Sequence, residues 1–592
     1  MLLLVINQTN MDKNNLEKLR HSCSHLLAAA IMELWPKTKR AIGPAIDNGF
    51  YFDFEFINPI SETDFPRIEQ KMHEIVKKWD KFEKQELTLD EAKADYPDNP
   101  YKHELIDEYA KQDAKLSFYQ SGDYRDLCVG SHIDNPSKAL KHFKLLSIAG
   151  AYWRGSEKNK MLTRIYGTCF PTKEELDKYL WLIEEAKKRD HRKLGRELDL
   201  FVISENIGKG LPLLTPNGTV IKKQILDYEY KLETAAGFKQ VSTPHIARSE
   251  MYKKTGHWDH YRDTMYKPFG IDEDEYVLKP MNCPHHYMIY ASQPRSYKDL
   301  PIRLSEPGMC YRFEKAGELA GLLRVRALSI DDSHILMMEN QIESEFALCI
   351  RMVKQMFTVF QLPDYYVRLS LADPTDAVKY IADEQTWTKA GEKLEKIVKD
   401  NKLNYVVKKG EASFYGPKLD FMVKDSLGRE WQMSTLQLDL FMSKRLNLVY
   451  TDDEGKEKNP VILHRGLTGS IERTLAILIE HFNGSFPIWL APVQVAILPI
   501  SEKHLEYAQT ILAQLQSAGI RTEVDRDNKK IGYKIRQATL KKIPYMIIIG
   551  DKESQNNKEM LISVRQRDGK NMGTMNITSF LDILKDQIEK FL

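Results

Sequence analysis

The chain has 592 residues, too many for one hydrophobic core, and this length predicts about three or four domains. It is 42% hydrophobic and 29% charged, the balance of a soluble globular protein, and 86 Lys and Arg against 84 Asp and Glu give a formal net charge of +2, so any site for a polyanion has to be local. The opening MLLLVI is too short for a signal-peptide core or a membrane span, and six scattered cysteines form no dense disulfide pattern; together these predict a cytoplasmic chain with no membrane partner.

In chain order, residues 1–14 form a short lead. Apolar periodicity from Asn15 to about Leu34 predicts a helix carrying His21 and His25, followed by the hairpin pattern AIGPAIDNGFYFDFEF. Residues four apart share a helix face, and Cys128 and His132 would also share one if DLCVGSH were helical. Such a quartet suits either a tetrahedral zinc or plain helix packing, and the spacing leaves both open. Mixed helices and strands fill 15–172, and the charged stretch 173–191 predicts a helical linker. From 192 to 487, strands joined by turn signals predict an antiparallel sheet. From 488 to 592, strands alternate with helices as in a small α/β domain. No internal repeat is present.

The stretch PGMCYRFEKAGELAGLLRVRALSIDDSHI, 307–335, reads as strand, loop and returning strand, with Arg312 and Arg324 flanking Glu314. Paired guanidiniums suit phosphates, although alone the stretch reads equally well as a solvated hairpin. Two further stretches change the balance: GFKQVSTPHI at 237–246 and GLTGSIERTLAILIE at 466–480, with Arg473. In chain order the three resemble motifs 1, 2 and 3 of class II aminoacyl-tRNA synthetases. KPMNCPHH, DDSHI, FYGPKLDF, WQMSTLQLD and ILHRGLTGSIERT resemble the threonyl-tRNA synthetase family in particular, from His21 to the C-terminus. The resemblance implies an α+β multidomain fold: a class II antiparallel-sheet catalytic domain, an N-terminal α+β editing domain and a C-terminal α/β anticodon-binding domain.

It further implies an ATP-dependent ligase that joins L-threonine to tRNA(Thr) through a threonyl-adenylate. Cys283, His334 and His464 would hold one Zn2+ per chain, although a lone histidine is more often a core residue. Three protein ligands with an open position suit a zinc that threonine can chelate, and a site requiring the hydroxyl rejects valine by roughly 10⁴ or more. Asp332, Tyr415, Lys418, Gln432 and Gln437 would surround the amino acid; Arg312, Glu314, Arg324 and Arg473 would act on ATP with Mg2+. Leu328 and Ile330 stand where the family usually has Phe and Gln, which predicts weaker nucleotide binding. Gln432 and Gln437 are five apart, on opposite faces of a regular strand, so both reach the substrate only if a bulge lies between them.

Serine has both chelating groups and lacks only a methyl, worth about 1 to 3 kcal/mol, so a hydrolytic site is needed. By resemblance this is His21, His25, Lys102, Asp126, Cys128 and His132, acting without metal on mischarged seryl-tRNA(Thr). Only about twenty residues precede His21, so the family's usual ubiquitin-like domain is expected to be absent. The basic stretch 525–542 reads as a solvated helix or, by resemblance, as part of an anticodon reader using Asn528, Glu553 and Arg565. A homodimer through the motif 1 region is implied. A class I synthetase would need a HIGH signature, which MSKR at 442–445 lacks as a partner. A silent RNA-binding relative would have lost Arg312, Arg473 or a zinc ligand, and a free-standing metal hydrolase explains only the first 172 residues.

Overall fold

The computed structural model describes residues 11–111, 116–373, 375–376, 379–381, 383–555 and 559–592, so most of the expected 1–14 lead lies outside it. The chain divides into two compact units, Met1–Glu185 and Ala186–Leu592.

The first unit opens with helix α1 (Lys13–Leu34), capped by Asp12, whose side chain accepts the Asn15 N–H. The cap satisfies an otherwise orphaned helix-end donor. The unit continues through β1 (Gly49–Glu55), α2 (Phe65–Val76), β2 (Glu83–Leu87) and α3 (Pro100–Lys111) to β3 (Leu116–Ser121), β4 (Tyr124–Leu127), β5 (His142–Tyr152) and β6 (Met161–Phe170). In its main sheet β1, β6 and β5 lie antiparallel in that order. The apolar face of α1 packs over them with Phe50, Phe52 and Ile165 fully or almost fully buried. A second sheet of β2, β3 and β4 stands apart and carries Asp126. Helix α4 (Lys173–Arg189) runs across the division between the units.

The second unit begins with α5 (His191–Glu197) and α6 (Pro216–Ala235), the latter started by Thr215 as cap and Pro216 in the first turn. It then contains β7 (Lys239–Gln240), α7 (Cys283–Ala291), β8 (Ile302–Tyr311), β9 (Ala327–Met337), α8 (Ile342–Val359), β10 (Tyr365–Leu371), β11 (Tyr405–Lys409), β12 (Lys418–Lys424), β13 (Glu430–Asp439), β14 (Val461–Gly466) and α9 (Ile471–His481). Eight strands form one sheet in the order β7–β8–β9–β14–β13–β12–β10–β11, antiparallel except at the two outer pairs. Helices α8 and α9 bury the sheet's apolar face in the largest core, leaving the other face for polar side chains. The alternation of a one-sided antiparallel sheet requires this division.

The C-terminal part has β15 (Val495–Pro499), α10 (Leu505–Ser517), β16 (Thr522–Val524), α11 (Ile531–Leu540), β17 (Tyr545–Ile549), β18 (Leu561–Gln566), β19 (Asn571–Asn576) and α12 (Ile577–Glu589). Its sheet runs β16–β15–β17–β18–β19, with the first three strands parallel. Among the described residues no helix is long and apolar enough to cross a membrane.

Candidate active sites

Strands β8 and β9 pair from Ile302–Leu336 to Tyr311–Ala327, so the intervening residues form an arm beyond the sheet. Arg324 donates to Glu314 at 2.8 Å and to Glu318 at 3.3 Å. Arg473, in the first turn of α9, donates Nε to the Leu323 carbonyl at 3.2 Å. Burial, then Arg312 and Arg324, pull its pKa down, as crowding of like charges should. Arg312, Arg324 and Arg473 line one cavity of about 330 Å³ whose walls include Val325, Leu328 and Ile330. That excess of guanidinium over carboxylate suits a polyphosphate.

Arg312, Glu314, Arg324, Ile330 and Gly469 also line a neighbouring cavity of about 470 Å³. Cys283, Asp332, His334, Tyr415, Gln437 and His464 line its other side. The sheet register does this: His334 of β9 is directly opposite His464 of β14, which is opposite Gln437 of β13. His334 Nε2 and His464 Nδ1 are 2.9 Å apart. Behind them, His334 Nδ1 lies 2.8 Å from His286 Nδ1, and His464 Nε2 lies 3.1 Å from Asp439. Partners of this kind fix ring orientation in metal sites. Burial holds His334 far below the usual imidazole range and so neutral. Burial, with Asp332 and Asp439, pushes the Cys283 thiol up, and its Sγ faces His257 Nε2 at 3.6 Å. Asn282 donates to Asp332 at 3.2 Å, and the Tyr415 hydroxyl donates to Gln437 at 2.6 Å.

The expected bulge is present. Asp420 pairs with Thr435 and Met422 with Gln432, so two steps on β12 oppose three on β13 and Gln432 turns to the face of Gln437. Gln432 and Lys418 nevertheless do not line the cavity. They bond buried Asp420, at 2.8 Å and 2.6 Å, and Arg368 joins Asp420 and Gln432. Both residues therefore support the site from beside it.

In the first unit, His21 and His25 share a face of α1, with ring centroids 5.0 Å apart. The helix considered for Cys128 and His132 is not formed: the chain leaves β4 as irregular backbone, because Gly130, at φ +89°, adopts a left-handed conformation that breaks a helix. The four side chains still converge, with one ligand atom of each within 4.8 Å of all the others. Cys128 Sγ is 3.5 Å from His21 Nε2 and 3.4 Å from His132 Nε2, and accepts the Gly130 N–H. Burial pushes the thiol up to about 12 and brings His132 down to about 3. Asp126 is buried beneath them and accepts from Lys102 (2.8 Å), Arg40 (3.1 Å), Tyr96 (2.6 Å) and Tyr124 (3.0 Å). Both its oxygens are thus occupied, and it positions neighbours instead of reaching a substrate.

Among the described residues, the other group of potential ligands converging this closely is Asp190, His191 and Glu480; Cys283, His334 and His464 are not grouped so tightly. In the C-terminal part, Asn528 is exposed before α11 and Arg565 is half-buried on β18. Glu553 is buried and accepts from Gly550 N–H at 2.8 Å and Ser563 at 2.7 Å.

Residues 266–482 match the tRNA synthetase class II core domain (G, H, P, S and T), residues 494–587 an anticodon binding domain, and residues 116–166 the threonyl and alanyl tRNA synthetase second additional domain. A threonine–tRNA ligase of Staphylococcus carnosus is 46% identical over 575 residues, 97% of this chain and 88% of that one. The chain belongs to the threonine–tRNA ligase family. A second member, from Rubrobacter xylanophilus, is 45% identical over 96% of this chain and 88% of its own. A crystal structure of the RNA binding domain of threonyl-tRNA synthetase from Cryptosporidium parvum superposes with a TM-score of 0.64 at 32% identity, over 67% of this chain and 98% of that one. Giardia lamblia prolyl-tRNA synthetase, at 18% identity and TM-score 0.53 over 69% of this chain and 80% of its own, shares the fold. The class II core, the second additional domain and the anticodon-binding domain are all present.

Sequence reasoning missed Arg40, Tyr96, His191, His286 and Asp439. Asp439 had a signal, since it follows Gln437 by two on one strand and therefore shares its face, and so had His286, three after Cys283 on α7; Arg40, Tyr96 and His191 are brought in by folding alone.

Proposed function

We propose that the protein attaches L-threonine to tRNA(Thr) through a threonyl-adenylate and hydrolyses seryl-tRNA(Thr) at the His21 cluster. The observation that carries this reading is the continuity of the two cavities: Arg312 and Glu314 line both, so a carboxylate held in one meets an α-phosphate held in the other.

Asp332 accepts the threonine hydroxyl, and Gln437 with Tyr415 orients the amine. Arg312 sits at the α-phosphate, where the threonine carboxylate oxygen bonds to phosphorus and pyrophosphate leaves; Arg324 and Arg473 hold the departing phosphates with Mg2+. A thiol and two imidazoles fit zinc by donor chemistry, and the rear partners His286 and Asp439 reinforce the fit. Cys283, His334 and His464 would hold it, and it would supply chelation of the amine and hydroxyl. Lys418 and Gln432, both bonded to Asp420, support the site from beside it.

At the editing site neutral His21, His25 and His132 position the attacking water and accept its proton, while Asp126 fixes Lys102. Geometry alone would admit a metal there; the resemblance to the family's editing domain favours a metal-free cluster. Asn528 and Arg565 contact the anticodon, and Glu553, expected beside them, is buried on Gly550 and Ser563 and positions them instead. The assembly is a homodimer formed through the region of 237–246, working in the cytoplasm, with domains at 15–172, 192–487 and 488–592 around a linker at 173–191. Threonine-dependent exchange of pyrophosphate into ATP tests the reading: exchange is expected, and its absence would assign the fold to a silent RNA-binding relative.

A further inference from the structure

We propose that His191 is a positioning residue for ATP: it fixes the loop between β8 and β9 and, through that loop, aims Arg473 into the phosphate cavity. The inference rests on the adenylation reading above. His191 opens α5 and is buried at 2% exposure. Its Nδ1 is 2.6 Å from Glu480 Oε1, and its Nε2 is 3.1 Å from the Leu322 amide. An amide N–H only donates, so Nε2 holds the lone pair and Nδ1 the proton. Both ring nitrogens are then committed, which leaves Asp190, His191 and Glu480 without an imidazole donor for a metal.

Glu480 lies in the last turn of α9 and is anchored by the His191 backbone N–H at 3.0 Å and by buried Arg429 at 2.6 Å. Arg473 lies in the first turn of the same helix and donates to the Leu323 carbonyl. One helix therefore grips Leu322–Leu323 twice, directly through Arg473 and indirectly through Glu480 and His191. The approach is tight: a Cβ on Gly321, at φ +55°, would lie 2.1 Å from His191 Nε2. Without the imidazole, the buried Leu322 N–H loses its acceptor, and the carbonyl that orients Arg473 is free to turn.

Two substitutions separate this role from a general structural one. His191→Gln keeps an acceptor near the position of Nε2, whereas His191→Asn keeps a donor near Nδ1 for Glu480 but no acceptor for Leu322. In threonine-dependent exchange, Asn is expected to raise the KM for ATP ~10-fold, the loss of about one hydrogen bond, with the KM for threonine unchanged. Gln should fall between Asn and wild type. Gly321→Ala, which displaces the loop from an intact His191, should reproduce the Asn effect. Hydrogen exchange of the 320–324 amides in the full chain should accelerate in Asn and Gly321→Ala and stay near wild type in Gln. Equal effects of Asn and Gln, a parallel rise in both KM values, or unchanged loop exchange would overturn the proposal. A wild type lacking threonine-dependent exchange would sink the adenylation reading instead, and the loop amides would still report on His191.

Discussion

Leu328 and Ile330 give the nucleotide cavity an aliphatic wall. Restoring an aromatic face with Leu328→Phe should lower the KM for ATP several-fold, since such a contact is worth about 0.5 to 1.5 kcal/mol; an unchanged value in the exchange assay would show that the base lies elsewhere. The editing imidazoles make a pH prediction. Burial is the first cause of the depression of His132 to about 3, with His21 second, so the ring stays neutral when folded but takes a proton near pH 6.5 when unfolded. The stability this gives is complete above pH 6.5 and lost as pH falls toward 3. Hydrolysis of seryl-tRNA should accordingly show no imidazole step between pH 7.5 and 5.5. A rate falling with an apparent pKa near 6.5 would mean the catalytic imidazole is exposed.

Strand pairing and helix α6 act together at the next scale. Glu229 and Glu233 of α6 reach the sheet, where Arg465 of β14 bonds Glu233 and lies 2.9 Å from Asp331 of β9. Asp331 also accepts the Leu467 and Thr468 amides, and Thr468 donates to Glu229 at 2.6 Å. This buried network ties α6 to the turn before α9 and hence to Arg473. Replacing Arg465 by Met leaves buried Asp331 and Glu233 without the cation that faces them both, which costs about 3 to 5 kcal/mol. Asp331 is already raised to about 6, by burial first, so protonation relieves the repulsion. The loss in urea midpoint should be smaller at pH 5 than at pH 8; a loss independent of pH would show that the carboxylates do not carry it. The β13 bulge belongs here too: a separation of five between the glutamines predicted opposite faces, and the extra residue reversed that.

For the whole molecule, what was legible in the sequence was local. The β8–β9 arm, the β12–β13 hairpin and the strand–helix alternation after 488 follow from short-range periodicity and turn residues. His21 and His25 were legible because one helix carries both, whereas the spacing of Cys128 and His132 misled because a glycine turn, not a helix, brings them in. His191 and Glu480 stand 289 positions apart, and Arg40, Tyr96 and Lys102 reach Asp126 from outside its strand; no spacing rule reaches so far. Metal content probes both units at once. One zinc per chain, lost in Cys283→Ala, is expected; a second zinc surviving that change would place metal on the His21 quartet.

The most direct test is charging of tRNA(Thr) with threonine, serine and valine by the wild type and by His25→Ala. The account predicts stable threonyl-tRNA from both proteins, seryl-tRNA accumulating only with His25→Ala, and valine rejected by roughly 10⁴ or more. Valine charged as readily as threonine, or no charging by the wild type, would contradict it.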